Sequence, residues 1–172
     1  MAIIKETDLI LKDGAVYHLG LRPDQLADKI ITVGDPGRVA AISWYFDQIE
    51  TVAEHREFIT HTGTFQGKRI SVISTGMGTD NIEILMTELD ALLNIDLETR
   101  TVRKQTRSLE IVRVGTSGSL KASVPVDSIV VSAMGIGLDT LMCFYNFPQS
   151  RQDKMLASEL QAACLAATRG ID

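Results

Sequence analysis

Cysteine is scarce. The 172 residues hold two, Cys143 and Cys164, with no Cys-x-x-Cys spacing and no histidine pair beside them. Neither a zinc ligand set nor a disulfide framework is suggested. Both lie among apolar or small residues and read as reduced packing groups of a cytoplasmic protein. Long apolar runs are missing too, and none reaches membrane-spanning length. Lys5, Glu6 and Asp8 interrupt any signal-peptide pattern near Met1, so a cytoplasmic location is the expectation. Positive charge is in deficit: 17 Lys and Arg against 22 Asp and Glu give a net charge of -5. This balance argues against nucleic acid and against an anionic membrane as partner. No Ser-His-Asp order, metal-ligand cluster or catalytic carboxylate pair stands out.

What is present is an ordinary globular balance, 45% hydrophobic and 23% charged. The length suits one domain, and residues 1–172 are expected to form it.

The organising stretch is Ile30-Ile31-Thr32-Val33-Gly34-Asp35-Pro36-Gly37-Arg38. It predicts a buried strand, a tight turn and a helix from near Arg38, running to Phe46 with Val39, Ile42 and Phe46 on one face. Gly34 permits close backbone approach, Pro36 presets a turn, and a new helix aims free N–H groups at its start. With Arg38 beside it, the turn favours an anion, most simply phosphate. An ordinary strand-to-helix turn has the same local grammar. Two more copies of the pattern weigh against that plain reading. Arg69 to Ser74 runs into Thr75-Gly76-Met77-Gly78, and a helix capped by Asp80 or Asn81 carries Ile82, Leu85, Met86, Leu89, Leu92 and Leu93 at helical spacing. Asn81 stands where a dinucleotide fingerprint needs its third glycine, so that motif is rejected. Leu109 to Val114 then runs into Gly115-Thr116-Ser117-Gly118. Arg113, inside this strand, is either bound to a partner or an anion, or at an edge reaching solvent.

Around these, Pro23 to Ala27 reads as a helical turn. Phe58–Phe65 and Arg69–Ser74 read as a hairpin about Gln66-Gly67-Lys68. Glu98 to Ser108 reads as a solvated connector, since no aromatics interleave with its charges. Ser128 to Ala133 reads as a fourth glycine-ended strand. Phe144, Tyr145 and Phe147 read as a pocket wall or plain packing. Lys154 to Arg169 reads as a helix with Met155, Leu156, Leu160, Cys164 and Ala167 inward and Gly170 ending it. The whole is α/β, and ligands in such sheets gather at the strand carboxyl ends. The residues imply anion binding and leave the reaction open.

Gly34-Asp35-Pro36-x-Arg38, His55-Arg56-Glu57-Phe58, Ser74-Thr75-Gly76-Met77-Gly78, Arg113-Val114-Gly115-Thr116-Ser117-Gly118 and Tyr17-His18-Leu19-Gly20-Leu21 together resemble the nucleoside phosphorylase family. The His-Arg-Glu-Phe box and the Ser-Thr-Gly-x-Gly loop look more like its uridine type. The resemblance implies a three-layer α/β/α fold with a central mixed sheet whose C-terminal part is missing. It implies a pentosyltransferase reaction of pyrimidine salvage: phosphate attacks C1′ of uridine and gives uracil and ribose 1-phosphate. Gly34, Arg38, Arg113 and Thr116 would hold phosphate. Arg56 would reach the phosphate of a neighbouring subunit, and His18 the ribose 5′-hydroxyl there. Thr116 would also face ribose. No cofactor is implied; phosphate is a co-substrate. Glu57 would hold a monovalent cation such as K+ at a dimer interface, with Asn81 standing where the uridine type usually has serine. A dimer-based homo-oligomer, a hexamer in the family, is implied. The family's later Gln-x-Arg and Glu-Met-Glu segments, which read the base and hold ribose, do not occur, so the chain reads as an N-terminal part. The alternatives are a purine nucleoside phosphorylase, a nucleosidase using water, and an inactive truncated anion-binding remnant.

Overall fold

The computed structural model describes residues 3–168. Their elements in chain order are β1 (Leu11–Lys12), β2 (Ala15–Val16), a 3-10 turn (Pro23–Gln25), β3 (Lys29–Val33), α1 (Gly37–Ser43), β4 (Gln48–His55), β5 (Phe58–Phe65), β6 (Lys68–Ser74), α2 (Thr79–Asn94), β7 (Ile95–Asp96), β8 (Thr101–Val102), β9 (Glu110–Val114), a 3-10 turn (Leu141–Phe144) and α3 (Arg151–Thr168). Residues up to 130 form one compact unit and those from 131 a second.

The first unit is built on a mixed five-stranded sheet in the order β4-β5-β6-β3-β9. β3 sits between two parallel neighbours, β6 and β9, while β4, β5 and β6 are antiparallel. Gln66 and Gly67, both at positive φ (49° and 72°), make the two-residue turn that matches strand twist. Strand alternation divides the sheet's faces. Ile30, Phe58 and Ile73 pack with Leu85, Leu89 and Leu92 of α2, joined by Val16, Leu19 and Leu21. Val33 and Val72 pack with Val39 of α1, with Ile31, Ile42, Phe46 and Ile59 around them. Helix, sheet and helix thus form the three layers. Gly63 must be glycine for space: a Cβ there would lie 2.1 Å from the Gln48 carbonyl oxygen and 2.7 Å from Phe46 Cδ2.

Several expectations need correction. α1 stops at Ser43; Trp44 caps it, and Phe46 reaches its apolar cluster from the following turn. α2 is not capped by Asp80 or Asn81. Gly78, at φ 103°, turns the chain first, which leaves both in the helix's opening turn. β4 carried no strand signal because it is an edge strand with Ile49 and Val52 44% and 62% exposed. The connector after α2 is tethered rather than merely solvated. Arg100 donates to the carbonyls of Ile4, Lys5 and Leu9, and Arg107 pairs with Asp28.

Ser128 to Ala133 forms no strand. Ile129, Val130 and Val131 are 96%, 64% and 88% exposed, and β propensity without a ladder partner makes no strand. In the second unit α3 is present and opens on a reciprocal cap between Ser150 and Asp153. It buries nothing among the described residues: Met155 and Cys164 are exposed, and Leu156 and Leu160 are half-buried. Cys143 is exposed as well, so neither cysteine is a packing group here. Phe144, Tyr145 and Phe147 are 83%, 47% and 58% exposed. The proposed helix end at Arg169 and Gly170 lies outside the described residues. Among the described residues no helix is long and apolar enough to cross a membrane.

Ser43, buried at the end of α1, bonds His61 Nδ1 of β5 at 2.7 Å. Burial holds the His61 pKa below its ordinary value of 6.5. The unfolded chain therefore takes up this proton first as pH falls, and the associated stability is lost below 6.5, down through the lower folded value. We expect the urea midpoint to drop between about pH 7 and about pH 5, and His61→Gln to flatten part of that drop. An identical slope in the variant would contradict this.

Candidate active site at the carboxyl edge of the sheet

Parallel pairing brings three loops to one place. Val33 is in register with Ser74 of β6 and with Val114 of β9, so Gly34, Thr75 and Gly115 leave the sheet at the same level. The Thr75 amide donates to the Val33 carbonyl at 2.8 Å, which holds two of these loops together. A Cβ on Gly34 would lie 3.5 Å from Arg113 Nη2 and 3.7 Å from the Gly76 carbonyl oxygen. A Cβ on Gly115 would lie 2.9 Å from Arg113 Nη1. The Arg113 guanidinium therefore lies against both Gly34 and Gly115. Arg113 occupies the sheet-edge position that the sequence left open, exposed on the outermost strand.

The β4–β5 hairpin tip closes over the next side. Arg56 takes φ 56° there and is exposed, and Glu57 follows half-buried. Ser74 Oγ donates to the Glu57 carbonyl at 2.5 Å and accepts from the Ile59 amide at 2.7 Å. A Cβ on Gly76, at φ 65°, would meet Glu57 Cγ at 2.8 Å and Asn81 Nδ2 at 2.9 Å. Arg113, Gly34, Gly76, Glu57 and Asn81 thus form one continuous patch. Arg38 rides half-buried in the first turn of α1, and Thr116 is exposed in the loop leaving β9.

The anion reading of α1 changes in one respect. Its first amides are already used: Gly37 N donates to Asp35 Oδ1 at 2.9 Å, Arg38 N to the Asp35 carbonyl and Val39 N to the Pro36 carbonyl. Attraction for an anion at this edge therefore does not come from the opening amides of α1 and falls to the side chains and the other glycine loops. The arginines sort accordingly. Arg22, Arg69, Arg100 and Arg107 hold carbonyls or carboxylates of the fold. Arg38 in the first turn of α1, Arg56 at the β4–β5 tip and Arg113 at the end of β9 have no side-chain hydrogen-bond or ion-pair partner among the described residues, and Arg103 and Arg151 likewise have none. An uncommitted Arg113 guanidinium lying against two glycines suits a polyanion such as phosphate, and Arg38 and Arg56 are free to contribute.

His18 lies elsewhere in the sequence and is tied to the same tip. His55 Nδ1 donates to the His18 carbonyl at 3.1 Å, and Tyr17 packs edge-on against both rings. The residue that sequence reasoning missed is Glu88, buried on α2 and bonded to His18 Nδ1 at 2.7 Å. Its signal was an acidic residue inside the apolar stripe of Leu85, Leu89 and Leu92.

Among the described residues no group of three His, Cys, Asp or Glu could hold a metal ion. For the implied monovalent cation, Glu57 offers a carboxylate with no bonded partner among the described residues. Asn81 turns Nδ2, a donor, towards the Met77 carbonyl and Gly76. Glu57 fits an oxygen-ligand set; Asn81 in this orientation does not add to it.

Residues 28–169 match the family model described as the phosphorylase superfamily, and the chain belongs to that family. A Thermococcus kodakarensis uridine phosphorylase is 31% identical over 128 residues, which are 74% of this chain and 41% of that protein. A Myxococcus xanthus purine nucleoside phosphorylase of the DeoD type is 36% identical, covering 73% of this chain and 47% of that protein. A Trypanosoma brucei nucleoside phosphorylase, whose crystal structure is reported to show uridine phosphorylase activity, superposes with a TM-score of 0.80 at 40% identity. That match covers 88% of this chain and 52% of the other. The chain spans about half the length of the curated relatives it matches.

Gly76 joins the two halves of the patch. Gly76→Ala forces a side chain into positive φ and against Glu57, at a cost of about 1–3 kcal/mol. Urea unfolding should show that loss. Unchanged stability would mean the loop yields without strain.

Proposed function

We propose that this chain supplies the phosphate half of a nucleoside phosphorylase site, in an enzyme that cleaves uridine with phosphate to uracil and ribose 1-phosphate. The observation that carries the reading is the Arg113 guanidinium lying against Gly34 with no acidic partner among the described residues. In this reading Gly34, Arg38, Arg113 and Thr116 hold the phosphate, and Arg56 reaches the phosphate of a neighbouring copy. His18 reaches ribose in that neighbour, and Thr116 faces ribose in its own chain. His18 and Arg56 being tied to one hairpin tip supports their acting together. Glu57 would help bind K+ between copies.

The chemistry asks for positioning. A phosphate oxygen forms the bond to C1′ as the glycosidic bond breaks, and the base leaves with that electron pair. The sugar becomes cation-like between the two, and the phosphate's charge stabilises it. Arginines that fix the phosphate supply orientation and electrostatic stabilisation together. A water-using nucleosidase needs no such arginine set.

Uridine is favoured by the His55-Arg56-Glu57-Phe58 box and by the likeness to the Trypanosoma brucei protein. A purine substrate is the second reading, favoured by the likeness to the Myxococcus xanthus protein.

The test is base release by the protein extended to its relatives' length. We expect uracil release from uridine that requires phosphate and exceeds hypoxanthine release from inosine. Release independent of phosphate would overturn the reading, and preference for inosine would select the purine one. Arg113→Lys keeps the charge and loses the planar fork, so apparent phosphate affinity should fall about ten- to a hundredfold. Unchanged phosphate dependence would make Arg113 structural.

A further inference from the structure

Glu88 is the one carboxylate in the buried set of the described residues, 5% exposed, with no lysine or arginine bonded to it. A buried carboxylate is costly unless its oxygens are satisfied. Here they are satisfied entirely by the loop that carries His18. The His18 amide donates to Oε1 at 3.0 Å and Oε2 at 3.1 Å, and the Leu19 amide donates to Oε2 at 2.8 Å. The His18 ring completes the set through Nδ1, 2.7 Å from Oε1. A carboxylate can only accept, so this contact requires the proton on Nδ1.

The consequence falls on the other ring nitrogen. In neutral imidazole a proton on Nδ1 leaves Nε2 with a lone pair. His18 Nε2 has no hydrogen-bond partner among the described residues, and it is not among their buried unpartnered atoms. It is therefore open to solvent. The ring cannot easily turn over. Tyr17 packs edge-on against it with centroids 5.0 Å apart, and His55 Nδ1 anchors the His18 carbonyl from β4.

We infer that Glu88 is a positioning residue: it locks His18 in the Nδ1–H form, so that Nε2 is presented as a hydrogen-bond acceptor for a hydroxyl group of the ligand. This rests on the reading above, in which His18 meets a ribose hydroxyl. It adds the reason for the choice of donor. A hydroxyl brings a proton to the waiting lone pair. A phosphate ester brings acceptors to an acceptor, with the Glu88 charge behind it. Glu88 thus favours a free 5′-hydroxyl over a 5′-phosphate and acts without touching substrate.

The test reads the ring nitrogens directly in the ligand-free 172-residue chain. Histidine 15N–1H correlation spectra at about pH 9, where ordinary imidazole is neutral, distinguish the two forms. We expect His18 as Nδ1–H, its signal assigned through His18→Asn. His55, which donates from Nδ1 to a carbonyl, serves as an internal control of the same form. Glu88→Gln can keep both amide bonds through one oxygen at the Oε2 position. Its amide nitrogen then faces His18 Nδ1 as a donor, and His18 should reverse to Nε2–H while His55 does not change. The inference is overturned by Nε2–H in the unsubstituted chain, or by a folded Glu88→Gln variant whose His18 stays Nδ1–H. If that variant does not fold, the tautomer of the unsubstituted chain decides alone. The readout needs no turnover. Failed phosphorolysis leaves it standing, and a wrong tautomer overturns it even in an active enzyme.

Discussion

Parallel pairing on both sides of β3 is the constraint on which the rest depends. Parallel strands end together, and their connections leave on the same edge. Because Val33 aligns with both Ser74 and Val114, three glycine-containing loops open side by side. Slip one strand by a residue and every side chain changes face. Arg113 would then leave Gly34, and the apolar face under α2 would lose Ile111. The site geometry and the core are thus set by one register. The two helices, packed on opposite faces, hold that register by burying the alternate residues of β3 and β6.

The second organising feature is electrostatic. The fold satisfies some of its arginines with its own carbonyls and carboxylates, and leaves others beside the edge loops without a partner. An uncommitted guanidinium is stable in water and gains when a dianion arrives. Glu88 shows the opposite arrangement. Its charge is fully committed, and what it commits is the orientation of the loop around His18. In the proposed reading, attraction is left free where an anion would bind and is used up where a neutral hydroxyl would be met.

Much of this was legible in the sequence. The run Ile30 to Val33 followed by Gly34 predicts strand then turn, and the periodic leucines of α2 predict its buried face; both are local signals. The convergence of Gly34, Gly76 and Arg113 was foreshadowed by the threefold recurrence of strand, glycine and helix. Other features were illegible for physical reasons. β4 is an edge strand with half its residues in water, so its pattern is faint. Asp35 capping its own helix looks in sequence like any Gly-Asp-Pro turn. Glu88 breaks the apolar stripe of α2 in sequence, but its partner, the loop 70 positions earlier, is seen only in the fold. Ser128 to Ala133 misled in the other direction, since Ile129, Val130 and Val131 have strand propensity and no ladder. The cysteines misled likewise, because apolar neighbours in sequence are not neighbours in space.

The central claim is that the carboxyl edge of β3 is one anion site assembled from three loops. Titration of inorganic phosphate into the 15N-labelled chain tests it most directly. The account predicts that the amides of Gly34, Gly76 and Gly115 and the Arg113 side-chain N–H move together and saturate with a single dissociation constant. Amides around Arg103 and Arg107, in the groove at the opposite edge, should stay still. Shifts that never saturate, or that are confined to that opposite groove, would contradict it.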